Sequence, residues 1–123
     1  MSMNIQNTRS GENTWLWLLK ILTGALLVIL LGIHLVVNHF AAEGGLLTYA
    51  DVIVYYRNPI IPIMEICFLA IVVSHSLFGL RGILLDLKPS RSVLKVVDVV
   101  FVLGGISIVA YGIWLVTVIV SKG

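Results

Sequence analysis

Charge is what this sequence has least of. Only 11% of its 123 residues are charged, against roughly a quarter in an ordinary soluble domain. Hydrophobic residues make up 59%, and the mean hydropathy is +1.08. A compact soluble domain of this length would need polar residues to cover its surface, so the apolar surface must face lipid or other apolar protein. Cysteine is scarce as well. Cys67 stands alone inside an apolar run, which excludes an internal disulfide and argues against a surface redox role. The net charge of +2, with no basic run or RNA-binding signature, excludes nucleic acid as a partner. There is no zinc-ligand spacing, nucleophile–base pair or phosphate loop, which excludes hydrolytic or kinase chemistry within the chain.

What is present is gathered into three apolar runs. The first extends from Trp15 to about Val37 and is broken only by Lys20. It would reach roughly 35 Å as a helix, enough to cross a hydrocarbon core of about 30 Å. It is too long for a signal-peptide core and lacks a small-residue cleavage site, so it is expected to remain in the mature protein. The second run covers about residues 60–87, with Glu65, Arg81 and Asp86 towards its ends, and the third about residues 93–120, with Lys95 and Asp98 in its first turns. None of them alternates as a membrane strand does. Helices satisfy their own backbone groups in lipid. The expectation is therefore a single all-α membrane domain, a bundle of three transmembrane helices.

Orientation follows from the cations. Arg9, Lys20, Arg81, Lys88, Arg91 and Lys95 fall on one side of such a bundle, and Arg57 and Lys122 on the other. The excess places the N-terminus and the turn between the second and third helices in the cytoplasm. That turn, Lys88-Pro89-Ser90-Arg91, is short and predicts an antiparallel hairpin. In the longer outer loop, Tyr49, Val52, Ile53 and Tyr56 share a helical spacing, which predicts a short helix lying in the interface. Trp15 and Trp17 would anchor the opposite side.

An ionisable group inside a span costs free energy unless it has a partner, so the two histidines within the runs are functional candidates. His75 sits mid-span in the second run. At about 100° per residue, Gly79 and Gly82 fall close to its face, one and two turns towards the cytoplasm. A face cleared of side chains admits the flat edge of a porphyrin, and Arg81 could pair with its propionates. The same residues also suit plain packing, with the histidine hydrogen-bonded across a helix interface and the glycines letting helices approach. His34, in the first run, lies roughly 28 Å from the inner end, and His75 roughly 18 Å from it. Depths differing by roughly 10 Å do not suit two ligands of one upright haem. Either each histidine has a partner from another chain, or only one is a ligand. His39 points to another side and reads as an interfacial residue.

Other polar residues have two readings each. Asn38, one turn beyond His34, either orients its ring or ends the helix. Lys20 and Thr23 share the face of His34; they are either a snorkelling lysine and a hydroxyl bonded back to its own helix, or a quinone or propionate contact. Glu65 reaches headgroups on the simplest reading. Asp86 either caps the hairpin turn or pairs with Lys88 or Arg91. Gly104-Gly105 reads as a packing notch.

The order His75, Gly79, Arg81, Asp86, followed by a short polar turn and a third helix, resembles the membrane anchor subunits of succinate dehydrogenase and fumarate reductase. Those small three-helix chains carry a similar His-x-x-x-Gly-x-Arg-x-x-x-x-Asp stretch. Thr23-Gly24 resembles the Ser-Gly of their first helix, His34 falls where two-haem members carry a histidine, and Asn58-Pro59 with Glu65 resembles the start of the second helix in some bacterial and archaeal anchors. The likeness covers about residues 15–121. There are departures: Lys20 stands where Arg-x-Ser-Gly would place an arginine nearer the glycine, and Leu87 follows Asp86 where many members have a quinone-binding tyrosine.

The resemblance implies a non-catalytic electron-transfer subunit of a succinate:quinone oxidoreductase in the cytoplasmic (inner) membrane. Its cofactors would be haem b, one or two shared with a second membrane anchor subunit, and quinone. Its partners would be that second anchor, the iron–sulfur subunit and the flavoprotein subunit, docked on the cytoplasmic side. His75 would be an axial ligand, Arg81 a propionate partner and His34 the ligand of a second, outer haem, with Gly79, Lys20, Thr23 and Asp86 lining the cofactors. Two haems are preferred because the histidines differ in depth. The alternatives are a fumarate reductase anchor, another membrane cytochrome b (expected to have more helices and histidines), or a non-haem structural subunit.

Overall fold

The structure is a computed structural model and describes residues 13–40, 44 and 47–123. Arg9, one of the cations used for orientation, lies outside the described residues. Four α-helices follow one another: α1 (Thr14–Leu35), α2 (Tyr49–Tyr55), α3 (Ile60–Asp86) and α4 (Arg91–Val120). α1, with a π-helical continuation over Val36–Phe40, α3 and α4 are each long and apolar enough to cross a membrane. There are no strands among the described residues. The many Val and Ile residues do not prevent helix formation, because lipid offers the backbone no other partner.

Local chemistry sets the ends. Asn13 Oδ1 accepts from the Trp15 N–H at 3.3 Å and starts α1. Asn58 Oδ1 accepts from the Ile60 N–H at 3.1 Å and starts α3, with Pro62 in the first turn where no N–H is needed. Ser90 Oγ accepts from the Val93 N–H at 3.3 Å, so α4 begins at Arg91, two residues before its apolar run. Between α3 and α4, Lys88 takes the left-handed conformation (φ 50°) and its N–H reaches the Leu85 carbonyl at 3.0 Å. Pro89 then prevents any continuation.

α2 is the short helix expected in the outer loop, with Tyr56 at its C-cap. A capping box starts it: Asp51 N–H donates to Thr48 Oγ1 and Thr48 N–H donates to Asp51 at 2.8 Å. The Thr48 hydroxyl, and then its amide, hold the Asp51 carboxyl below the usual carboxylate range. The box is therefore complete above that range and is lost as pH falls through the folded value. Thr48→Ala should accelerate amide exchange over residues 49–55 by roughly fivefold, the effect of losing a typical N-cap. Unchanged exchange would show that the loop, not the cap, holds α2.

α3 is the middle helix and packs against both α1 and α4. Contacts between residues 23 and 75 and between 34 and 65 make α1 and α3 antiparallel. On the other side, glycines of α4 receive leucines of α3. A Cβ on Gly105 would stand 2.7 Å from Leu77 Cδ1, and one on Gly112 would collide with Leu69. Gly104 has nothing near it, so the notch belongs to Gly105 and its neighbour two turns on. Among the described residues only Ile61 and Gly105 are buried, and no polar side chain is.

Candidate functional site

His75 lies at the seam between α1 and α3. Its Nδ1 is 3.0 Å from Thr23 Oγ1, and the Cε1 edge of the ring faces Gly24, where a Cβ would stand 3.2 Å away. Thr23 Oγ1 also lies 2.6 Å from the Leu19 carbonyl and 3.2 Å from that of Lys20, both of which accept only. Nε2 makes no hydrogen bond among the described residues. One turn towards the hairpin, a Cβ on Gly79 would meet nothing within 4 Å. An imidazole engaged through Nδ1, with Nε2 making no hydrogen bond among the described residues, has the free nitrogen that axial ligation of a haem needs.

His34 is held in the same manner by different partners. Its Nδ1 is 3.0 Å from Glu65 Oε1 and 3.0 Å from Asn38 Nδ2, and its ring stacks on Phe68 with centroids 5.1 Å apart. Asn38 Nδ2 also donates to the His34 carbonyl at 3.0 Å. That carbonyl is the one an α-helical N–H of residue 38 would use, and the backbone widens into the π-turn there. With the amide committed to the carbonyl, the carboxylate is the stronger acceptor for an Nδ1–H. Glu65, expected to reach headgroups, is thus turned inwards by a histidine on the facing helix. Asn38 Nδ2 can only donate, so with Nδ1 protonated towards Glu65 its bond is to the His34 carbonyl, and it is Glu65 that orients the ring.

The two histidines are further apart than the sequence suggested. Thr23 marks the level of His75 on α1, eleven residues before His34, or roughly 16 Å along the axis. On α3 the ten residues from Glu65 to His75 give roughly 15 Å. The earlier value of roughly 10 Å took Trp15 and Leu87 as one level; the observed register sets Trp15 opposite residue 83, about a turn away. Among the described residues no three His, Cys, Asp or Glu side chains cluster. Each histidine stands as a single potential ligand.

Arg81 turns to α4, not to the face of His75. Its Nε donates to Asp98 Oδ1 at 2.6 Å and its Nη2 to Asp98 Oδ2 at 3.1 Å, a bidentate pair. The sequence reading placed Asp98 in the first turns of the third run without pairing it to Arg81, yet hairpin arithmetic points to the pair, since both residues lie within about three turns of the same bend. Asp86 is exposed at the end of α3 and its side chain has no partner among the described residues. Lys20 is half-buried, and Thr23 is bonded back to its own helix while also meeting His75. His39 is exposed.

A groove of about 850 Å³ lies along α3 and α4, with Ser74, Phe78, Arg81, Asp98, Phe101 and Gly105 in its wall. Neither histidine lines it. Such an apolar lining is what lipid-facing helices present generally, and the groups with chemistry to offer lie mainly at the α1–α3 seam.

A family model described as "Succinate dehydrogenase/Fumarate reductase transmembrane subunit" matches residues 1–119. A succinate dehydrogenase hydrophobic membrane anchor subunit from Archaeoglobus fulgidus is 26% identical over 113 residues, covering 92% of this chain and 96% of that protein. Succinate dehydrogenase 2 membrane subunit SdhC from Mycobacterium tuberculosis is 30% identical over 100 residues, 77% of this chain and 73% of that one. No solved structure matches. With three spans, the hairpin and a match over almost the whole length, this multi-pass membrane protein belongs to the succinate dehydrogenase/fumarate reductase transmembrane subunit family.

Proposed function

We propose that this chain is the cytochrome b anchor of a succinate:quinone oxidoreductase, holding haem b jointly with a second anchor chain. The observation that carries this reading is His75, bonded through Nδ1 to Thr23 and lying against Gly24, with Nε2 making no hydrogen bond among the described residues. When bound, haem accepts and returns one electron at a time between the iron–sulfur subunit and quinone. The chain's own residues position it. His75 supplies the axial nitrogen. Gly79 leaves room along α3 for a flat ring. Arg81 is bonded to Asp98 on α4, so the propionate role that the resemblance implied is not assigned to it. Lys20 and Asp86, towards the hairpin end, are assigned to quinone contact, with a sister chain completing the pocket. That end is assigned to the cytoplasmic side of the inner membrane, an orientation the cation excess supports, and would receive the iron–sulfur and flavoprotein subunits.

His34 is assigned to a second, outer haem, with Glu65 orienting its ring. In the intact complex His34→Ala should remove a haem spectrally distinct from the one lost on His75→Ala. Loss of the same haem from both would put both histidines on one iron, which their separation of roughly 16 Å forbids.

A dithionite-reduced absorption spectrum of the intact purified complex tests the function. A b-type band, in stoichiometric proportion to flavin, is expected. Its absence would leave a non-haem anchor in which the Thr23–His75 bond merely ties α1 to α3.

A further inference from the structure

We propose that Thr23 is a positioning residue that fixes the tautomer and direction of His75; this rests on the reading of His75 as a haem ligand. A threonine hydroxyl has one proton to donate and lone pairs to accept with. Thr23 Oγ1 is 2.6 Å from the Leu19 carbonyl, which can only accept, so the proton lies there. Towards His75 Nδ1, at 3.0 Å, the same oxygen can then only accept. Nδ1 must therefore carry the ring proton, and Nε2 is left with its lone pair. A neutral imidazole with Nδ1–H is the form that an iron ligand requires.

Gly24 completes the arrangement. With Cε1 only 3.2 Å from where a Cβ would stand, the ring fits against α1 because residue 24 carries no side chain. Thr23 and Gly24 thus do separate things: one sets the proton, the other leaves space for the ring. Both come from the first helix, whereas the ligand comes from the third. The seam between α1 and α3 would be part of the cofactor site before any cofactor arrives.

An acceptor on the distal ring nitrogen raises the basicity of a metal-bound histidine, and losing it typically weakens metal affinity by about 10–100-fold. Thr23→Val keeps the shape and removes the acceptor; Thr23→Ser keeps the acceptor and removes the methyl. The test is potentiometric titration and electron paramagnetic resonance of both variants in the intact complex, with haem retention measured against excess apomyoglobin. Thr23→Val should raise the midpoint potential of the haem that His75→Ala removes, and increase its loss to apomyoglobin at least tenfold. Thr23→Ser should behave as the native complex, and the other haem should not respond in either. Equal shifts in both variants would assign the effect to packing and overturn the proposal. So would a native potential and retention in Thr23→Val. If His75→Ala itself leaves the haem content unchanged, it is the ligand assignment that fails.

Discussion

His75→Ala is expected to strip one b-type haem from the purified complex while the complex still assembles. Alanine offers no nitrogen to the iron, so loss from that site should be essentially complete. Assembly should survive because the substitution orphans nothing else. Thr23 Oγ1 keeps its bond to the Leu19 carbonyl, and Gly24 faces only the space that the ring vacates. The reading is haem per flavin by pyridine haemochromogen. Imidazole added to the variant should restore part of the band, since it can occupy the vacated space and present the same nitrogen. An unchanged ratio of haem to flavin would remove His75 from the site altogether.

The second large effect is at the hairpin. Asp98→Ala leaves the Arg81 guanidinium without its bidentate partner in an apolar layer. An arginine within a span costs about 2.5–3.5 kcal/mol on insertion scales. Both side chains are partly exposed and Arg81 keeps a further interaction, so a smaller loss of about 1–2 kcal/mol is expected. The readout is the thermal midpoint and yield of the assembled complex. Removing both partners, as Arg81→Met with Asp98→Leu, should recover most of that loss, because apolar replacements of a buried pair are often neutral or better. A double variant as unstable as Asp98→Ala would mean that Asp98 acts through something other than Arg81.

The fold was legible because lipid makes it so. Three runs of sufficient length, each without alternation, leave few alternatives, and the ends moved little: Ser90 starts α4 two residues early, and a π-helical stretch carries the first span on to Phe40. The helix in the outer loop was legible from four residues at helical spacing, Tyr49, Val52, Ile53 and Tyr56. The site was legible in part. His75 and His34 stood out because ionisable groups in a span are costly, and Thr23-Gly24 stood out by resemblance. Which groups face one another was not legible, because that depends on the register between helices, a quantity no single run contains. Hence Glu65 was read as facing headgroups when it meets His34, and Asp98 was placed in the first turns of the third run without its partner Arg81. One contact between α1 and α3 would have settled the levels of both histidines together.

Almost nothing in this chain is shielded by the chain itself; among the described residues only Ile61 and Gly105 are. Its flanks are therefore left to lipid or to other apolar protein, and where a protein partner covers them the melting temperature should follow that partner's concentration. Dilution into detergent should lower it even where every internal contact is intact. Substitutions at Gly105 and Gly112, by contrast, should push α4 away from α3 and lower stability within the chain, with little change in its helical content.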